Sequence, residues 1–160
     1  MSPERRAKWA PPAIALGGAA WLGAVALFST IVAPAAFAVL PDRSLAGALV
    51  GRVLPSLFFG GMVAGLSAAT VGGRARVTRS TVAGFLAATC CAAGQFAVGS
   101  ALGALRDAVA GPIDALAAGD PRRVLFGRLH VASVALLGAA ASCMLVVVAD
   151  ATRAIRSAAR

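Results

Sequence analysis

The chain has 160 residues, 59% of them apolar and 13% charged, about half the charge of an ordinary soluble domain. A water-soluble fold of this length would expose its apolar surplus, so lipid is the expected solvent, and residues 1–160 are expected to form one domain. The net charge of +9 does not point to nucleic acid: the basic residues fall in short clusters between apolar runs, and with no Tyr and two Trp there is no base-stacking platform.

Four apolar runs follow in order, each close to the roughly 20 residues that cross about 30 Å of hydrocarbon. The first predicted helix covers about 13–40, with Pro11 and Pro12 before it, where a first turn has no N–H to lose. Arg5, Arg6 and Lys8 ahead of an apolar stretch, then Ala33-Pro34-Ala35, resemble a signal peptide. The stretch exceeds the usual 7–15 residues, so a retained helix is expected. The second helix is predicted at about 44–72, with Ser44 as N-cap after Pro41 and Asp42. The third spans about 80–108. The fourth spans about 121–150 and opens on Asp120-Pro121, an N-cap followed by proline at the first helical position. Backbone groups in lipid must be satisfied within a segment, so the expected fold is all-α, an integral membrane antiparallel four-helix bundle.

Basic residues cluster at Arg5, Arg6 and Lys8, at Arg74, Arg76 and Arg79, and at Arg153, Arg156 and Arg160. With four spans these share one side. The other side carries Arg43, Arg52, Arg106, Arg122, Arg123 and Arg128, diluted by Asp42, Asp107, Asp114 and Asp120. Both termini are therefore expected in the cytoplasm of a multi-pass cell-membrane protein. The third connection, 105–123, must break at Gly111-Pro112 and again at Gly119-Asp120-Pro121. Ile113, Leu116 and Ala117 are expected to form one amphipathic turn lying on the outer surface.

Lipid tails are as apolar as Leu, so small residues that let backbones approach must hold such helices together. Gly47/Gly51, Gly61/Gly65 and Gly99/Gly103 have that spacing. They serve internal packing or a homo-oligomer. Pro34 and Pro55 each remove a backbone bond and are expected to kink their helices, as a packing accommodation or to open a small cleft. Cys90, Cys91 and Cys143 lie in apolar runs with no C-x-x-C spacing, as packing residues rather than a disulfide framework.

No catalytic motif occurs, no acidic residue lies deep in a span, and Asp150 is expected to be solvated at the end of helix four. No catalytic residue, metal site or cofactor is predicted. Polar residues do gather at one level, where Arg52, Arg106, Asp107, Arg128 and His130 coincide, and Arg52, Asp107, Arg128, His130 and Ser133 form a candidate ligand-binding layer for an anion, a lipid headgroup or a metal-bearing ligand. Arg128 and His130 point about 200° apart. His130 shares a face with Ser133, so His130 and Arg52 are expected to face inward and approach each other. Ordinary interfacial anchoring, with arginines paired to Asp107 or Asp120, is the plain alternative. Gln95 is expected to hydrogen-bond helix one through Ser29 or Thr30.

The runs Trp21-Leu22-Gly23, Phe28, Val32-Ala33-Pro34-Ala35-Ala36-Phe37 and Leu40-Pro41 resemble the opening of bacterial DUF4149 proteins, themselves similar to eukaryotic transmembrane protein 205. The resemblance continues through Ala46-Gly47, Val50-Gly51, Leu54-Pro55 and Phe126-Gly127-Arg128-Leu129-His130 with Ser133. It departs in helix three, where Gln95 stands in place of Asn and Gly99-Ser100-Ala101 replaces a Gly-Pro-basic stretch. The resemblance implies four transmembrane helices without an assigned activity. A distant likeness to the copper-resistance CopD group adds metal or haem handling through His130 as an alternative. The expected function is non-enzymatic: a structural, accessory or small-solute role in the lipid bilayer. A small oligomeric transporter is a further alternative.

Overall fold

A computed structural model describes residues 3–74, 78–109 and 111–160, and the side chains of 3–8, 72–74 and 78 lie outside the description. Arg5, Arg6, Lys8, Arg74 and Arg76, which carried part of the charge argument, therefore fall outside it. The first span consists of α1 (Pro3–Leu27), a π-helical turn (Phe28–Val32) and α2 (Ala33–Val39). The second is α3 (Arg43–Arg74). The third consists of α4 (Thr78–Ala92), a π-helical segment (Ala93–Gly99) and α5 (Ser100–Asp107). A 3₁₀ turn (Ile113–Ala115) lies in the third connection, and α6 (Pro121–Ala158) is the fourth span. Among the described residues every regular element is helical, and four helices are long and apolar enough to cross a membrane.

Close contacts run in opposite directions along neighbouring spans. Gly65 meets Gly84, Gly61 meets Cys91, and Gly51 meets Arg106. The bundle is therefore antiparallel, with one end holding the chain termini (the terminal end) and the other holding the first and third connections (the loop end). No more than 33% of any span's most apolar window is buried, which in water would leave large apolar side chains such as Leu16, Val63, Phe96 and Val131 exposed. In lipid that surface is the solvated one.

The terminal half is tightly packed. A Cβ on Gly65 would stand 2.6 Å from the Gly84 carbonyl oxygen, and one on Gly84 would stand 2.7 Å from the Gly65 oxygen. Two backbones touch there, which only glycine permits. A Cβ on Gly61 would lie 2.5 Å from Cys91 Sγ and 2.6 Å from Trp21 Cζ2. Trp21 also donates from Nε1 to the Leu57 carbonyl at 2.8 Å, tying the first span to the second. Gly47, Gly99 and Gly103 touch no other helix, so only Gly61/Gly65 of the three spaced pairs packs as a pair.

Several expectations are corrected. The first helix runs through Pro11 and Pro12 from Pro3. Proline's fixed φ suits a helix, and the carbonyls that lose an N–H partner, those of Ala7 and Lys8, lie in the opening turns of α1. The N-cap of α3 is Asp42, whose carboxylate accepts from the Ser44 N–H at 2.9 Å and from its hydroxyl at 2.7 Å. These bonds hold the Asp42 carboxyl below its usual pKa. Pro34 has no N–H for the Thr30 carbonyl, and the ladder widens just before it, with Ala33 N–H reaching back to Phe28 O. Thr30 gives its hydroxyl to Ala26 O of its own helix and Ser29 is exposed, so neither holds Gln95. Pro55 lies within an unbroken α3.

Asp150 is not freely solvated. Its carboxylate is 13% exposed, with Arg153 at 3.1 Å, Arg79 at 3.9 Å and the Ser80 hydroxyl at 3.2 Å. It clamps the third span to the fourth at the terminal end.

Candidate functional site

The loop half holds a cavity of about 690 Å³. Its wall on the second span follows one helical stripe, Ser44, Gly47, Gly51, Leu54 and Phe58. The third span contributes Gln95, Gly99, Leu102 and Arg106, spaced i, i+4, i+7 and i+11 along one face. The fourth contributes Phe126, His130 and Ser133 at i, i+4 and i+7. Gly111, Pro112, Ile113 and Asp114 of the third connection close over the end. Phe58, 2% exposed, forms the floor, and its ring lies 2.5 Å from where a Cβ on Gly94 would stand.

Three local features shape this space. The π-helical segment Ala93–Gly99 puts Gly94, Gln95 and Gly99 on the wall without a proline to cause it, and such segments often mark functional sites. The third connection is folded inward. Ile113 and Val109 are buried, Gly111 takes φ 118°, and Arg123 donates to the Leu116 carbonyl at 2.7 Å. Ile113 thus packs into the bundle rather than lying on its outer surface. At the foot of the connection Asp120 caps α6, accepting from Arg122 N at 2.8 Å, and its guanidinium pairs with the same carboxylate at 2.8 Å. These bonds push the Asp120 carboxyl down to about 2.

Of the residues expected in a polar layer, His130 and Ser133 line the cavity, whereas Arg52, Asp107 and Arg128 do not. Arg52 lies about 100° from Gly51 around α3, which carries it off the stripe. It is exposed, and among the described residues no hydrogen bond joins it to His130. The cavity's cations are Arg43 and Arg106. Arg106 reaches from the third span to the second, its Nη1 2.9 Å from the position of a Gly51 Cβ. Its guanidinium lies over the Phe126 ring at 5.2 Å from the centroid, a cation–π contact with the fourth span. Among the described residues no carboxylate lies within salt-bridge distance of Arg43 or Arg106. The signal that reveals Arg106 is the stripe Gln95, Gly99, Leu102, Arg106, three of them small or polar.

Ser133 is 2% exposed and lines the cavity, and among the described residues its hydroxyl has no hydrogen-bond partner. Ser100 and Ser142 instead give their protons to the preceding turn of their own helices. Gln95 is half-buried with its amide on the same wall. The arrangement can therefore offer two cations at the rim and hydrogen-bonding groups partway in, among apolar walls. Among the described residues no three of His, Cys, Asp and Glu come together to hold a metal ion, and His130 is the single imidazole.

Four apolar, antiparallel spans around a core of Trp21, Phe58, Cys91 and Met144 define a multi-pass membrane protein with a four-helix bundle. The chain belongs to the DUF4149 family, whose domain of unknown function matches residues 16–110, from the first span to the start of the third connection. No curated protein and no solved structure matches the chain.

Proposed function

We propose that this protein is a non-catalytic membrane protein that holds a small amphiphilic solute in its loop-end cavity, in an accessory role. The observation that carries the reading is Ser133, a residue 2% exposed whose unpartnered hydroxyl lies on a wall that also presents Arg106. Among the described residues no buried side-chain polar atom lacks a partner, so this hydroxyl opens onto the cavity, where a bound solute can pair with it. The Phe58 floor and the packed core beyond it support retention of a solute over its passage. The reading places both termini in the cytoplasm of the cell membrane, on the strength of the arginine clusters at the terminal end. It admits a homo-oligomer, since Gly17 and Gly138 face outward with open space around them.

Purification of the full chain in mild detergent, followed by mass spectrometry of what it carries, tests the binding role. Gly47 lines the cavity and a Cβ there meets nothing within 4 Å, so Gly47→Leu places its side chain in the cavity space. A molecule copurifying with the wild type is expected to be depleted in Gly47→Leu at an unchanged melting temperature. Equal occupancy of both, or an empty wild type from native membranes, would refute the role. Reporter fusions at the C-terminus and near Ala115 test the orientation, and an externally active C-terminal reporter overturns it.

A further inference from the structure

We propose that the solute is a monoanionic glycerophospholipid, bound with its phosphodiester between Arg43 and Arg106 and one acyl chain directed toward Phe58. The inference rests on the binding role above and deepens it.

The charge on the cavity wall sets the head. Arg43 and Arg106 are its cations and Asp114 its carboxylate, a formal excess of one positive charge among the arginines and the carboxylate. One negative charge on the ligand balances it. Arg106 is already placed: Gly51 lets its guanidinium lie against the second span, and Phe126 supports it from below. A planar guanidinium fixed in this way presents its donors in a fork that suits phosphate or carboxylate oxygens.

The depth of the polar groups separates those two anions. Phe126 marks the level of Arg106. Along α6, His130 lies about 6 Å and Ser133 about 10 Å further in, from the 1.5 Å rise per residue. A fatty acid has no polar atom below its carboxylate. A glycerophospholipid has ester carbonyls one glycerol unit below its phosphate, where the Ser133 hydroxyl can donate. Below that, Leu54, Leu102 and Phe58 offer apolar wall to a chain. The sequence of anion, ester and hydrocarbon also matches the direction of the bilayer: Arg43 begins the second span and Arg106 is one residue from the end of the third.

A zwitterionic headgroup would add a cation beside two arginines and is disfavoured. The volume of about 690 Å³ suits one chain better than two, so a lysophospholipid is the sharpest probe. The full chain, exchanged into a detergent without phosphate, is titrated and read by native mass spectrometry. The probes are lyso-phosphatidylglycerol, lyso-phosphatidylcholine, oleate and inorganic phosphate.

Lyso-phosphatidylglycerol is expected to bind tightest. Arg106→Gln should weaken it about tenfold or more, and Ser133→Ala about threefold to tenfold, while leaving oleate unchanged. Arg128→Gln, outside the cavity, should change nothing. Equal binding of lyso-phosphatidylcholine overturns the monoanion, and equal binding of oleate overturns the ester contact. Binding of inorganic phosphate as tight as the lipid overturns the chain. Melting temperatures of the unliganded variants identify any that fail to fold. For such a variant at position 106, Arg106→Lys is used, and unchanged affinity there overturns the bidentate contact. A neutral solute copurifying with the wild type sinks this inference and leaves the binding role standing.

Discussion

At the terminal end, Gly65 and Gly84 bring two backbones into contact, whereas at the loop end Gly47 and Gly103 face open space and Gly51 faces a guanidinium. Small residues are equally available in both halves of the second and third spans. What differs is the opposite wall. Gly65 and Gly84 meet each other, so the helices close. Near the loop end Gly94 meets the Phe58 ring, the π-helical segment follows, and Arg106 occupies the space by Gly51. Small-residue spacing therefore permits close packing without specifying it. The paired helix face decides between a closed contact and a cavity.

The largest expected effect breaks the closed half. Gly65→Leu or Gly84→Leu forces backbones apart that now lie 2.6–2.7 Å from the added Cβ. Overpacking costs about 1–3 kcal/mol or more. Thermal unfolding in detergent should show a large drop for both and almost none for Gly103→Leu, which meets nothing within 4 Å. Similar melting of all three variants would mean that the crossing is not tight.

A smaller effect is expected at the ion cluster of the terminal end. Asp150→Asn leaves Arg79 and Arg153 without their carboxylate, although Ser80 keeps an acceptor. The loss should be about 1 kcal/mol, in the range of a hydrogen bond to a charged group at a wet interface. Part of the wild-type advantage should disappear in high salt. Identical salt dependence of the two proteins would argue against an electrostatic clamp.

The smallest effect belongs to Asp120 at the other end. Its folded-state carboxyl lies at about 2, below the usual 3.8, because Arg122 donates to it from backbone and side chain. A depressed carboxyl stabilises the fold above its unfolded value and loses that contribution as pH falls toward the folded value. Acid titration should therefore show a stability loss between 3.8 and about 2 that is shallower in Asp120→Asn. Parallel titration curves for the two proteins would remove Asp120 as the cause.

The four spans were legible because each is a long apolar run, and the start of α6 because Asp120-Pro121 combines a capping carboxylate with a proline that needs no N–H. Of the five residues expected in the polar layer, His130 and Ser133 line the cavity. His130 and Ser133 share a face, and the two-residue step to Arg128 separates it from them. Arg52 was misplaced because helix entry fixes depth but not azimuth, and one residue of rotation moved the wall to Gly51. Arg106 was legible in depth, at the level of Asp107, but not in azimuth, although its stripe back to Gln95 has helical spacing. The inward fold of the third connection was not legible, since Ile113 reads equally as a surface turn or a plug. The contact between Gly65 and Gly84 needed a register between helices that neither span specifies alone.

The π-helical segment Ala93–Gly99 also sets what the third span tolerates in length. A π turn takes up about one residue more than an α turn, whereas in an α-helix one residue turns everything beyond it by about 100°. The span meets the second span on both sides of the segment, through Gly84 and Cys91 before it and Arg106 after it. Deleting one residue within 93–99 would let the segment return to an α-helix with Gly84 and Arg106 in place. The same deletion within 101–105 would turn Arg106 off its Gly51 seat. The segment is thus a reserve of chain length beside the cavity, and the α-helical stretch after it holds none.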